Sequence, residues 1–243
     1  SDIIQVHKQE FGEVLPVTNC TQESFQFPVL KRRIVEANFQ GGDITSNGGV
    51  LLLQQVDRRL GLSEAVAHTL DDPRRQASIE HNNLSLLRQR VYALALGYED
   101  LNDHETLRLD LAIQTALGRS EELASSPTLC HWENRADRQT ARQIHEVIVE
   151  QFIASFKKAP KKLILDFDAT DDRVHGNQEG RFFHGYYDHY CFLPLYAFCR
   201  NQLSVSYLRE SKIDGARHAW AILALLVKRL RQVWPQVRII FRA

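Results

Sequence analysis

The stretch from Lys161 to Gly185, KKLILDFDATDDRVHGNQEGRFFHG, constrains the fold more than any other part of the chain. An apolar run carries carboxylates at alternate positions, Asp166 and Asp168, reaches Thr170, and then opens into a polar loop holding His175, Gly176 and Gln178. A strand has a side-chain period of two. Leu163, Leu165, Phe167 and Ala169 therefore point to one face, and Ile164, Asp166, Asp168 and Thr170 to the other. Burying isolated charges costs several kcal/mol, so two acids on one apolar strand call for a cation, a basic partner or water. Hard carboxylate oxygens with no nearby cysteine or histidine cage favour Mg²⁺ or Mn²⁺ over Zn²⁺, which points to phosphoryl chemistry with Asp168 and Asp166 as metal ligands. The same spacing also fits an edge strand whose acids simply meet solvent.

The rest of the composition sets limits. A chain of 243 residues with 44% hydrophobic and 25% charged residues has room for one large domain or two smaller ones. Lys plus Arg and Asp plus Glu both count 30, so net charge gives no support for a polyanionic partner and leaves only local basic patches. No apolar run approaches the ~20 residues of a membrane span, and no signal peptide opens the chain, so it reads as cytoplasmic. Cys20, Cys130, Cys191 and Cys199 lack zinc-site spacing. On one strand, Cys191 and Cys199 would stand about 26 Å apart, so reduced thiols are expected. The chain has no Met, and VRIIFRA stops within an apolar strand pattern, which reads as a fragment.

Residues 1–47, with Pro16 and Pro28, read as an extended arm followed by a hairpin turning at Gly41-Gly42. Residues 48–158 read as a helical module. Its predicted helices are Val50–Leu60, Leu62–Leu70 capped by Ser63, Ala77–Leu96, Leu107–Leu117, Thr128–Asn134 behind a Ser126 cap, and Ala136–Lys158. The apolar stripe of the third places Ile79, Leu84, Leu87, Val91, Leu94 and Ala95 on one side. Two short helices before a long one fit a helix-turn-helix in which Thr128, His131, Arg135 and Arg138 reach a groove, and they equally fit plain bundle packing. Arg135, Arg138 and Arg142, three and four apart, are expected to share one helical face suited to phosphates.

Beyond Pro160 the period changes to that of strands. The acidic strand, a run from Tyr186 to Cys199 broken at Pro194, and Leu203–Arg209 predict three consecutive antiparallel strands. A helix from Asp214 to Val233 and a parallel strand at Val237–Phe241 complete a β-β-β-α-β order over 160–243. The fold class is therefore α+β or α/β, a helical N-terminal module followed by a β-β-β-α-β unit.

That order resembles an incomplete ribonuclease H-like fold. LDFDATDD, HGNQEG and FFHGYYDHYCFLPLYAF resemble the first catalytic motif of DDE insertion-sequence transposases of the thirteen-eighty family, and DITSNGGVLLLQQVDRRLGL and LASSPTLCHWEN resemble that family's helical region. The resemblance runs from about Ile34 to the end. It implies two metal ions held by three carboxylates, hydrolysis and then joining of DNA strands, double-stranded transposon-end DNA as partner, and room for a homo-oligomer. Asp168, in the D-x-T position with Thr170, matches the first catalytic Asp, with Asp166 in reserve. The family's second acid is expected just after a strand such as VRIIFRA, and the third, a Glu, on a later helix. As it stands the chain matches one third of the active site and is not expected to catalyse transposition. A non-catalytic transposon-end-binding protein derived from a transposase, and another Mg²⁺-dependent nuclease, are the alternatives. His175, His184 and His189 fit hydrogen bonding in turns and sheets, and Tyr186, Tyr187 and Tyr190 fit sheet packing better than base stacking.

Overall fold

A computed structural model describes residues 4–6, 25–26, 36–37, 43–75, 77 and 79–243. The chain divides into two compact units, 1–140 and 141–243, and the dividing line falls inside the long helix rather than at Pro160. No helix among the described residues is long and apolar enough to cross a membrane.

In the first unit, β1 (Ile4–Val6) pairs antiparallel with β4 (Asp43–Thr45), and β2 (Phe25–Gln26) with β3 (Glu36–Ala37). The expected hairpin is thus not among the described pairings, and its turn at Gly41-Gly42 lies outside the described residues. Helix α1 (Val50–Leu60) ends at Gly61, whose left-handed φ of 66° suits a residue without Cβ, and α2 (Leu62–Ala67) begins at once. Ser63 does not cap α2. It lies within the helix and donates to Asp57 instead. Helix α3 spans Asn83–Ala95, six residues shorter at its start than the apolar pattern predicts, because the Asn82 side chain accepts the Ser85 N–H at 2.9 Å and fixes the first turn there. Its buried side carries Leu86, Gln89, Tyr92 and Ala93, leaving Val91 and Leu94 exposed, so the helix is rotated from the predicted stripe.

The helix predicted over Leu107–Leu117 is two helices, α4 (His104–Leu107) and α5 (Leu111–Ala116). Asp110 separates them, its carboxylate accepting the N–H groups of Ala112 and Ile113 at 2.9 and 3.0 Å. The same carboxylate accepts the Thr45 hydroxyl at 2.7 Å and the Asn47 amide at 3.0 Å, tying the end of β4 to the bundle. Helix α6 is Ser126–Glu133 with Ser125, not Ser126, in the cap position. Helix α7 covers Arg138–Ala154, shorter than predicted at both ends. Asp137 caps it by accepting the Thr140 N–H at 2.8 Å. Val50, Leu51, Tyr92, Ile113 and Leu123 form the main apolar core, and Leu86, Ala124 and Leu129 a second one against which Trp132 packs.

The second unit is built on a four-stranded sheet. Its strands are β5 (Lys162–Ala169), β9 (Leu195–Cys199), β10 (Gln202–Tyr207) and β11 (Arg238–Arg242), in the order β10-β9-β5-β11. The β9 strand is antiparallel to β5 and to β10, whereas β11 is parallel to β5. Between β5 and β9 the chain makes a second sheet of β6 (Asp172–Arg173), β7 (Phe182–His184) and β8 (His189–Phe192). Helix α8 (Ala219–Val233) starts five residues later than predicted, after a turn in which Asp214 accepts the Ala216 N–H at 2.8 Å. Leu163, Leu165 and Phe167 of β5 are buried with Phe152 of α7 and Leu223, Leu226 and Leu230 of α8. Arg229 of α8 holds Glu150 of α7 through two bonds of 2.6 and 2.7 Å. Cys191 and Cys199 are buried free thiols, Cys130 is an exposed one, and Cys20 lies outside the described residues.

Candidate active site

The apolar half of β5 faces the helices, which leaves Asp166 and Asp168 together on the other face. The strand is not an edge: β11 pairs with Lys162–Asp166 on one side and β9 with Asp166–Ala169 on the other. At Asp166 the strand is therefore an inner one, which removes the edge-strand reading for that acid. The two carboxylates differ in what surrounds them. In the parallel register Arg242 lies opposite Asp166, and its Nε and Nη2 donate to the two carboxylate oxygens at 2.5 and 2.8 Å. That bidentate contact holds the Asp166 carboxyl below its ordinary range and raises the guanidinium. Asp168 is exposed and takes neither a hydrogen bond nor an ion pair among the described residues.

The chain just beyond β5 adds a pair that the sequence did not suggest. His189 Nε2 and Asp171 Oδ2 are 2.7 Å apart, a charge-assisted contact when the imidazole is protonated. Tyr187 lies between His184 and His189, with ring centroids 4.9 and 6.1 Å away, and its hydroxyl is pushed up first by burial and then by the charges of Asp171, Tyr186 and Asp168. For a divalent cation, Asp168 fits as one unencumbered hard-oxygen donor, whereas Asp166 is held by Arg242. Among the described residues no group of three His, Cys, Asp or Glu side chains is placed to hold a metal.

The residues predicted to meet DNA separate into two places. Thr128, His131 and Arg135 converge with Pro73, Arg74 and Trp132 around an open cavity of about 390 Å³. Arg135 does not share a helical face with Arg138 and Arg142, because α7 begins only at Arg138 and Arg135 sits in the preceding turn. Arg138 opens α7 and makes no ion pair among the described residues, and Arg142 pairs with Glu146 at 3.0 Å while remaining 80% exposed.

Residues 27–243 match the model of the family Transposase DDE domain group 1. The chain belongs to that family. Comparison with curated proteins and with solved structures gives no match. Membership makes the acidic face of β5 the first place to look for transposase chemistry. Within this DDE domain, Arg242 and the Asp171–His189 pair are the neighbours that sequence reading missed. Arg242 becomes visible only once the register of a parallel pairing across 76 positions is known. Asp171 was in view as part of the run Asp171-Asp172, but its partner lies 18 residues on, across the β6-β8-β7 excursion.

Proposed function

We propose that this DDE transposase cuts and joins the ends of an insertion sequence of the thirteen-eighty type, with Asp168 as the first metal-binding carboxylate. The observation that carries the assignment is the contrast on β5: the Asp168 side chain is exposed and has no hydrogen-bond or ion-pair partner among the described residues, whereas Asp166 is neutralised by Arg242. The β-β-β-α-β order, with sheet order β10-β9-β5-β11, supports a ribonuclease H-like reading of the second unit. A divalent cation, Mg²⁺ or Mn²⁺, would supply activation of water or a 3′-hydroxyl and neutralisation of phosphate charge. Asp168 would hold it through its free oxygens. The Asp166–Arg242 pair leaves no uncompensated second charge on the strand beside it. Double-stranded transposon-end DNA is the partner, and Arg138 and the exposed Arg142, which also pairs with Glu146, are the cations at the start of α7 that would meet phosphate.

The test is cleavage of transposon-end duplex by the intact transposase with Mg²⁺. Asp168→Asn is expected to abolish cleavage, and Asp166→Asn to leave measurable activity. The opposite result transfers the role to Asp166, and wild-type cleavage by both variants removes β5 from the active site. In a salt series on the same duplex, Arg138→Ala with Arg142→Ala is expected to lower the salt slope of binding by about one per lost phosphate contact.

A further inference from the structure

One open cavity of the first unit has chemistry of its own. Helix α6 and the turn after it bring Thr128, His131, Trp132 and Arg135 to one side, and Pro73 and Arg74 close the other. Asp72 fixes both arginines. It accepts Arg74 Nε and Nη2 at 2.7 and 2.5 Å and Arg135 Nη1 at 3.3 Å, and its carboxyl is drawn down to about 2 by the Arg74 contact before the others. Two guanidinium groups against one carboxylate leave a unit of positive charge at the rim. Arg135 Nε and Nη2 have no protein acceptor among the described residues. The walls between are apolar and aromatic. Trp132 is half-buried and its indole N–H donates to Asn83 Oδ1 at 3.2 Å, which anchors that edge of the ring.

A flat aromatic wall, an exposed imidazole and a free guanidinium edge around a space of this size match a single chemical unit: a planar heterocycle joined to a phosphate. These residues line an open hollow beside α6. We infer that this cavity holds one unpaired nucleotide, its base against Trp132 and His131 and its phosphate on Arg135. The inference deepens the transposase reading by naming the state of the DNA that the first unit accepts, an unstacked nucleotide rather than an intact base pair. A free mononucleotide and a nucleotide within a strand share this chemistry.

The experiment is fluorescence anisotropy of the full chain with labelled single-stranded oligonucleotide and, separately, with labelled transposon-end duplex of the same sequence. Wild type is compared with Trp132→Leu, Trp132→Phe and Arg135→Gln. Loss of stacking is expected to weaken single-strand binding at least about five-fold in Trp132→Leu, with Trp132→Phe close to wild type and blunt-duplex binding unchanged. Arg135→Gln, at an exposed side chain, is expected to weaken the same binding and to reduce its salt dependence, which guards against a folding defect in Trp132→Leu. Competition by a nucleoside monophosphate would show that a free nucleotide suffices, and competition only by oligonucleotide would show that the strand is required. Wild-type single-strand affinity in both Trp132→Leu and Arg135→Gln overturns the inference, as does equal loss on blunt duplex. Failure of duplex cleavage with intact Trp132-dependent strand binding would count against the transposase mechanism and leave the cavity standing.

Discussion

Replacing Asp57 with Ala should destabilise the first unit more than any other single change outside its apolar core. Asp57 is 8% exposed and accepts four hydrogen bonds: the Ser63 N–H at 2.9 Å, the Ser63 hydroxyl at 2.5 Å, Arg88 Nε at 3.1 Å and the Tyr92 hydroxyl at 2.8 Å. One carboxylate thus ties α1 to α2 and α3. Burial alone would raise its pKa, but the Ser63 hydroxyl and amide, the Tyr92 hydroxyl and the Arg88 charge outweigh burial and hold it below the ordinary value. Truncation takes from Arg88 its buried counter-ion, leaving it the Ser63 hydroxyl and the exposed Glu64 at 3.4 Å, and leaves Tyr92 without an acceptor, a loss of about 3 kcal/mol. For a unit of this size that corresponds to a fall of roughly 10 °C or more in its melting transition. Differential scanning calorimetry of the whole chain measures it, with the two units allowed separate transitions. Because the folded pKa is depressed, the stabilisation is fully present above the unfolded value of about 3.9 and is lost as pH falls through the folded value. The gap between wild type and Asp57→Asn should accordingly narrow below about pH 4. A melting temperature for Asp57→Ala within about a degree of wild type at neutral pH would refute this account, since by the same scaling it leaves well under 1 kcal/mol for the network.

Gln89 is fully buried, donating to the Ala124 carbonyl at 2.8 Å and accepting the Ala124 N–H at 3.0 Å; Gln89→Leu strands both backbone groups and should cost about 2–4 kcal/mol in urea unfolding, with a conserved midpoint refuting it. Arg209 is 4% exposed and holds the carbonyls of Leu193, Gly215 and Arg217, while burial lowers its pKa; Arg209→Met should speed amide hydrogen exchange in the 214–218 turn by an amount worth about 1–3 kcal/mol, and unchanged protection would show that the turn holds itself.

What could be read from the sequence follows the length scale of the forces involved. The alternation of β5 is visible because one face of the strand meets a single continuous core, and on α8 Leu223, Leu226 and Leu230 are buried at the spacing of a 3.6-residue period. Helix starts were displaced from the apolar pattern to the residue that takes the cap position. Asn82 prevailed over the upstream apolar pattern of α3, Asp110 divided a continuous stripe, and Ser125 prevailed over Ser126. The rotation of α3 was invisible for a different reason: its inward positions include Gln89, and a polar residue satisfied by the backbone of Ala124 carries no hydrophobic signature.

The acidic strand shows where local pattern stops and chemistry begins. A period of two places Asp166 and Asp168 on one face and treats them alike. What separates them is a strand more than 70 positions later, whose parallel register sets Arg242 opposite Asp166. A carboxylate held by both arms of a guanidinium has one lone pair of each oxygen taken and its charge compensated, so chelating a metal through both oxygens means first losing a two-bond ion pair. Its neighbour needs no such exchange. Removing the guanidinium therefore makes the two acids more alike, and in Arg242→Ala the penalty of Asp168→Asn on Mg²⁺-dependent cleavage should shrink as Asp166 becomes available. A penalty of the same size with and without Arg242 would mean that Asp168 is chosen by its position along the strand and not by its freedom from a partner.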